Sequence, residues 1–192
     1  RVSTRHPFRG ITLHAMIGLA AATGLRIGEV VRLDKGDVDL ERGVLTILRT
    51  KFKKDRLVPI HPTVATMLRR YRVARDAACR GDSPALFVSL RSQRFAINTI
   101  EGSFNVAAQR AGLRGPTGKG PSFHGLRHRF AVRRLVTWYQ DGVEVQGMLP
   151  ALATYLGHVR YSDTAYYLTA TSELMALAAT RYHRSLLRKV DK

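Results

Sequence analysis

Apolar positions along the chain fall into runs whose spacing is mostly helical. Residues 11–22 are almost continuously apolar, with Met16, Ile17 and Leu19 set among alanines, and predict a buried helix. Thr23-Gly24 breaks the run, after which Leu25, Val30, Val31 and Leu33 predict a second helix with Arg26 at its start. The period then changes. Val44, Leu45 and Ile47, followed by Leu57, Val58 and Ile60, form two β-rich runs joined by the basic stretch from Arg49 to Arg56, which predicts an antiparallel hairpin with a cationic tip. Pro62 opens a helix over about 63–80, with Val64, Met67, Leu68 and Tyr71 at helical spacing. Ala85-Leu86-Phe87-Val88 is a short apolar stretch, and residues 97–112 predict another helix. A glycine-rich basic loop over 112–120 leads into Phe123-His124. Helical patterns resume over 125–139 and over 145–156, with a turn at Gln140-Asp141-Gly142 between them, and the last third reads as Ala- and Leu-rich helix. No repeat of solenoid length is present. The fold class expected is α+β, mainly α-helical, with a small antiparallel hairpin or sheet.

Charge narrows the partners. In 192 residues, 32 Lys and Arg face 14 Asp and Glu, a net charge of +18 that calls for a polyanion. Double-stranded DNA, with one charge per about 1.7 Å of axis, rewards such a surface by releasing counterions. Charge alone fits RNA or an anionic membrane equally. A 45% hydrophobic content argues against a disordered polycation. No apolar run approaches the roughly 18 to 20 residues of a spanning helix, and no secretory signal is visible. Cys79 is the only cysteine, so an intramolecular disulfide is impossible and a cysteine-based zinc site is unsupported; a small apolar role in a helix is expected. A cytoplasmic, nucleoid-associated bacterial protein is expected, and the start at Arg1 suggests a piece of a longer one.

Three strings concentrate reactive residues. Ala22-Thr23-Gly24-Leu25-Arg26-Ile27-Gly28-Glu29 puts an arginine at a helix start, where unsatisfied N–H groups already favour phosphate. His124-Gly125-Leu126-Arg127-His128 spaces His124 and Arg127 three apart, on one face of a helical turn. Leu156-Gly157-His158 is followed, nine residues after the histidine, by Tyr167. With the lysine-rich hairpin, these groups form an inventory able to break and rejoin a phosphodiester without a metal. The planar fork of arginine bridges two phosphate oxygens and never loses its proton. A phenol, with a pKa of about 10, needs arginines to stabilise its phenolate or a histidine to accept its proton. A departing 5′-oxygen needs a proton donor. No clustered carboxylates suggest a two-metal site, so no metal and no cofactor is expected.

In this order, with the tyrosine last, the strings resemble the catalytic domain of tyrosine recombinases of the phage-integrase family, over about residues 11–180. The resemblance implies that Arg26, in the box Gly-Leu-Arg-x-x-Glu, and Arg127 hold the scissile phosphate. Glu29 then buttresses Arg26 and takes no proton. His124 acts as base or hydrogen-bond partner, with His128 as a supporting residue. His158 hydrogen-bonds a nonbridging oxygen, and Tyr167 is the nucleophile, preferred to its neighbour Tyr166 by the nine-residue interval. Tyr161 is left to packing. Lys51, in the first half of the hairpin turn, protonates the 5′-oxygen, with Lys53 and Lys54 as competitors. Lys53, Lys54, Arg56, Arg114, Lys119 and Arg160 are further candidate DNA contacts. The implied activity is site-specific cleavage and rejoining of double-stranded DNA through a 3′-phosphotyrosine, without ATP, by molecules self-associating into a tetrameric synaptic assembly.

Residues 1–192 are expected to form a single catalytic domain whose parent carries a separate DNA-clamping domain. Residues 172–192 either close the chain's own core as an amphipathic helix or dock onto a neighbouring protomer. Thr169–Met175 resembles recombinases of transposons and mobile elements. One departure is the 31-residue interval from Arg127 to His158, lengthened through Trp138–Leu149. Two rivals remain: a type IB topoisomerase-like enzyme that reseals the same strand, and a catalytically silent basic DNA-binding domain.

Overall fold

A computed structural model describes residues 6–48, 55–115, 120–160, 162–169, 172 and 174–180. The chain forms two compact units, Arg1–Arg127 and His128–Lys192, and the boundary between them falls inside one helix.

In the first unit, helix α1 (Pro7–Thr23) starts on a proline whose fixed φ suits the first helical turn. It ends at Gly24, whose φ of 66° lets its N–H reach the Ala20 carbonyl at 2.8 Å. The chain then reverses into the short helix α2 (Ile27–Arg32), with Arg26 at its N-cap. A 3₁₀ turn (Lys35–Asp37) leads into three antiparallel strands in the order β1 (Val38–Asp39), β2 (Val44–Ile47) and β3 (Arg56–Pro59). The β2–β3 register pairs Val44 with Pro59 and Ile47 with Arg56, so that Leu45, Ile47 and Val58 enter the core. The expected hairpin is present, and β1 is an addition: two residues are too few to carry an alternating pattern.

Helix α3 (Pro62–Ala78) packs on α1, where the flexible end of Met67 fills the space beside Gly18, its sulfur 2.7 Å from where a Cβ would lie. Tyr71 of α3 stacks on Phe8 (ring centroids 6.0 Å apart) and meets Phe87 at 5.0 Å. The buried Arg75 donates to the Ser83 and Ala85 carbonyls at 2.9 and 3.1 Å, fixing the segment after α3. The apolar run 85–88 therefore forms single bridges, Asp34 with Ala85 and Val88 with Arg94, within a loop the arginine holds. Helix α4 (Ile97–Arg110) completes this unit together with the first turn of α5 (Phe123–Gln140). That helix begins two residues earlier than its apolar pattern, because the Ser122 hydroxyl accepts from the Gly125 N–H at 3.0 Å and so satisfies a donor of the first turn.

The second unit holds the rest of α5, helix α6 (Val145–Leu156), helix α7 (Ser162–Ala165), a 3₁₀ turn (Tyr166–Thr169) and helical residues 174–180. Ala131, Leu135, Leu149, Leu152, Leu156 and Leu174 form its core, with Tyr167 among them. Glu144 caps α6, its carboxylate accepting from the Gln146 and Gly147 N–H groups. The lengthened segment from Trp138 thus consists of the last turn of α5, a turn, and the start of α6. Within the last third, read as Ala- and Leu-rich helix, the chain tightens after Ala165 to 3₁₀ geometry at Tyr166–Thr169. No helix among the described residues is long and apolar enough to cross a membrane.

Candidate active site

In the first unit the chemistry gathers around one carboxylate. Gly24 ends α1 in the left-handed conformation, which turns the chain so that Arg26 sits at the N-cap of α2 and Glu29 one turn in. Glu29 Oε2 accepts the Arg26 backbone N–H at 2.9 Å, and Oε1 accepts Arg26 Nη1 at 3.2 Å. Arg56, entering from β3, places its fork on the same carboxylate, with Nη1 to Oε1 and Nη2 to Oε2 both at 3.0 Å. Such bidentate, charge-assisted pairs are the strong and directional kind. Burial by itself pushes the Glu29 carboxyl up, but the hydrogen bonds from Arg56 and the Arg26 backbone, with both positive charges, outweigh it and hold the pKa below the ordinary value. Glu29 is therefore a fixed anion. The Arg26 side chain, anchored through Nη1, stays 42% exposed, whereas that of Arg56 is 8% exposed.

Arg127 joins this centre from α5. It is 2% exposed, and its Nη1 donates to the Gly24 carbonyl at 2.8 Å, tying the second box to the backbone turn of the first. His124 lies exposed in the first turn of the same helix.

The second unit carries the phenols. Tyr167 is 6% exposed and Tyr166 is 66% exposed. The Tyr167 ring stacks on His158 at 6.0 Å and an interplanar angle of 22°, and meets His128 edge-on at 5.3 Å. Tyr166 lies further from His128, at 6.5 Å. The Leu-Gly-His string has a local cause. Leu156 is buried, Gly157 takes φ 69° to end α6, and the His158 N–H closes the cap on the Ala153 carbonyl at 2.9 Å. The histidine therefore leaves the helix at a fixed point. Its Nδ1 lies 2.7 Å from the hydroxyl of Thr164, a residue with no solvent exposure.

The structure thus joins Arg26 and Glu29 in one network, ties Arg127 to the neighbouring Gly24 carbonyl, and brings His158, Tyr167 and His128 into one set of ring contacts. Two of the candidate DNA contacts also have partners within the protein. Arg56, read as a DNA contact, places its guanidinium on the buried Glu29 carboxylate, with its side chain 8% exposed. Arg114 has Nη2 on Asn105 Oδ1 at 2.6 Å and on the Pro121 carbonyl at 3.3 Å, so it fastens the ends of the loop it was expected to arm. Arg160 is exposed. Lys51, Lys53, Lys54, Lys119 and Tyr161 lie outside the described residues. Thr164 was missed altogether: a threonine in Ser162-Asp163-Thr164-Ala165 carries no local mark of burial beneath a histidine. Among the described residues, no group of three or more His, Cys, Asp or Glu could hold a metal.

Comparison with known proteins gives the chain its relatives. Residues 5–173 match the phage integrase family. A Sinorhizobium fredii (strain NGR234) protein named provisionally as the integrase/recombinase y4rE is 51% identical over 182 residues, spanning 94% of this chain and 58% of that protein. The tyrosine recombinase XerD of Ralstonia nicotianae is 32% identical over 91% of this chain and 53% of its own length. The chain therefore spans little more than half the length of these relatives. Among solved structures, the XerA recombinase superposes with a TM-score of 0.74 at 27% identity, covering 92% of this chain and 60% of that one. The XerH site-specific recombinase, in a post-cleavage complex with palindromic difH substrate, shares the fold with a TM-score of 0.69 at 22% identity, covering 95% of this chain and 48% of that one.

Proposed function

The chain belongs to the phage integrase family, and from that premise we propose that it is the catalytic part of a site-specific DNA recombinase working through a covalent phosphotyrosine. The observation that carries this reading is the position of Tyr167, whose ring lies against His158 and His128, histidines from two separate boxes. Charge and relatives support double-stranded DNA as the substrate: the chain carries +18, and the XerH site-specific recombinase is in a post-cleavage complex with palindromic difH substrate.

In the proposed reaction, Arg26 and Arg127 hold the nonbridging oxygens of the scissile phosphate, and His124 and His158 add hydrogen bonds as negative charge shifts. Tyr167 Oη attacks phosphorus while losing its proton to a nearby base. A tyrosine–phosphate bond forms at the 3′ end, and the bond to the 5′-oxygen breaks as that oxygen takes a proton from Lys51, with Lys53 and Lys54 as alternatives. The bond energy stays in the phosphotyrosine, so a 5′-hydroxyl from another strand can reverse the step without ATP or metal. Glu29 remains charged throughout as the support for Arg26. Exchange between two duplexes requires several copies on DNA, and we propose a tetrameric assembly in which residues 172–192 dock between protomers. Residues 1–192 would act as one catalytic domain there, with Arg160 and the basic loops on DNA.

A duplex nicked next to a candidate site traps the intermediate. Incubated in EDTA, the protein is expected to yield a band that keeps DNA and protein joined under denaturing conditions, and Tyr167→Phe to bind the duplex without forming it. Binding without an adduct by the unaltered protein would favour the silent DNA-binding reading. Relaxation of supercoiled plasmid with no exchange between duplexes would favour the topoisomerase reading.

A further inference from the structure

We propose that Thr164 is a positioning residue that selects the tautomer of His158. The inference rests on the role given to His158 above and goes beyond it. Thr164 lies six residues after the histidine, on α7, with no solvent exposure, and its Oγ1 is 2.7 Å from His158 Nδ1, well within hydrogen-bond range. The histidine is fixed from two further sides: the Gly157 cap sets its backbone, and the Tyr167 ring covers one face of the imidazole at 6.0 Å. With Nδ1 engaged, the nitrogen through which His158 can meet a phosphate oxygen is Nε2.

The chemistry then assigns the direction of the bond. A neutral imidazole carries one N–H, and an anionic phosphate oxygen needs a donor. For Nε2 to be that donor, Nδ1 must be the acceptor, so the Thr164 hydroxyl donates to it. A threonine hydroxyl can donate to Nδ1 of the neutral ring, whereas a carboxylate in its place can only accept and would impose the opposite tautomer. Thr164 therefore works through His158 and touches neither DNA nor the nucleophile in this role. The same hydroxyl links α7 to His158, just beyond the Gly157 cap of α6, and so adds a third constraint on the ring.

Nitrogen-15 NMR of the 192-residue chain with labelled histidine reads this without any DNA. The expected spectrum at neutral pH has the His158 signal as the Nε2–H tautomer, and Thr164→Val, which removes the hydroxyl but keeps the shape, should lose that bias. Thr164→Ser should keep it. In the nicked-duplex assay, Thr164→Val is expected to slow adduct formation at saturating DNA by roughly 10- to 100-fold, the factor that one charge-assisted hydrogen bond carries. DNA affinity should be nearly unchanged, and Thr164→Ser should recover most of the rate. An Nδ1–H tautomer in the unaltered protein, or a Thr164→Val protein with unchanged tautomer and rate, would overturn the proposal. The two readouts separate the failures. If no adduct forms with the unaltered protein, the recombinase reading is at fault, and the spectrum still judges Thr164.

Discussion

The arginine centre of residues 1–127 and the tyrosine centre of residues 128–192 reach fixed geometry by different routes. In the first, Glu29 is buried and accepts from the Arg26 backbone, the Arg26 side chain and both arms of Arg56, so position comes from directional, charge-assisted bonds. In the second, Tyr167 lies in an apolar core between two histidine rings, and His158 is steadied by a glycine cap and one hydroxyl. The difference teaches where each half is vulnerable. Removing one charge from the first takes the partner from a buried group, whereas the second draws its stability from ring shape and a backbone turn, so that loss of a polar atom there costs rate more than folding.

The largest expected effect on stability follows from that. Glu29→Ala removes the bidentate partner of the nearly buried Arg56, a loss of about 3–5 kcal/mol for one partner of a buried pair, measurable by urea unfolding. Glu29→Met with Arg56→Met should be more stable than either single variant, yet still slow in adduct formation, because Arg26 has lost its anchor. Full additivity of the two losses would contradict the network.

The same carboxylate gives the first unit an acid limb. Its folded pKa lies below the ordinary 4.5, so an unfolded chain takes up the proton first as pH falls. The contribution of Glu29 is complete above that ordinary value and is lost as pH drops below it, through the lowered native value. Glu29→Gln should flatten stability against pH in this window, which unfolding curves collected from about pH 6 downward would show.

A backbone change should dominate in the second unit. Gly157 sits at φ 69°, where a side chain costs about 1–2 kcal/mol, so Gly157→Ala should lower stability by that amount and displace His158. A disproportionate fall in adduct rate, compared with a core substitution of equal stability cost, would show that the cap positions the histidine. The smallest effect is expected from Tyr166→Phe. At 66% exposure it should shift stability by no more than about 0.5 kcal/mol, and adduct formation should be retained.

Much of this was legible in the chain. Helical spacing located α1, α3, α4 and α6, the change to β-rich runs located the β2–β3 hairpin, and Gly24 and Gly157 marked helix ends because only glycine enters the left-handed region cheaply. What escaped depends on contacts made far along the chain or through a tertiary fold. Arg56 looks like any other cation of a basic stretch until β3 brings it onto Glu29, 27 residues earlier. Thr164 has no periodicity to betray it, and its significance lies wholly in what its hydroxyl touches. The 3₁₀ tightening at Tyr166–Thr169 also has no signature in composition, yet it accompanies the separation of one buried phenol from one exposed phenol.

That separation sets the decisive measurement. Exposure favours attack by Tyr166, whereas histidine contacts and the nine-residue interval favour Tyr167. The trapped DNA–protein adduct, formed in EDTA and digested to peptides, can be mapped by mass spectrometry to a single residue. Attachment of the 3′-phosphate to Tyr167 is the predicted result. Attachment to Tyr166 would contradict the assignment of the nucleophile, and no attachment to either tyrosine would contradict the phosphotyrosine mechanism itself.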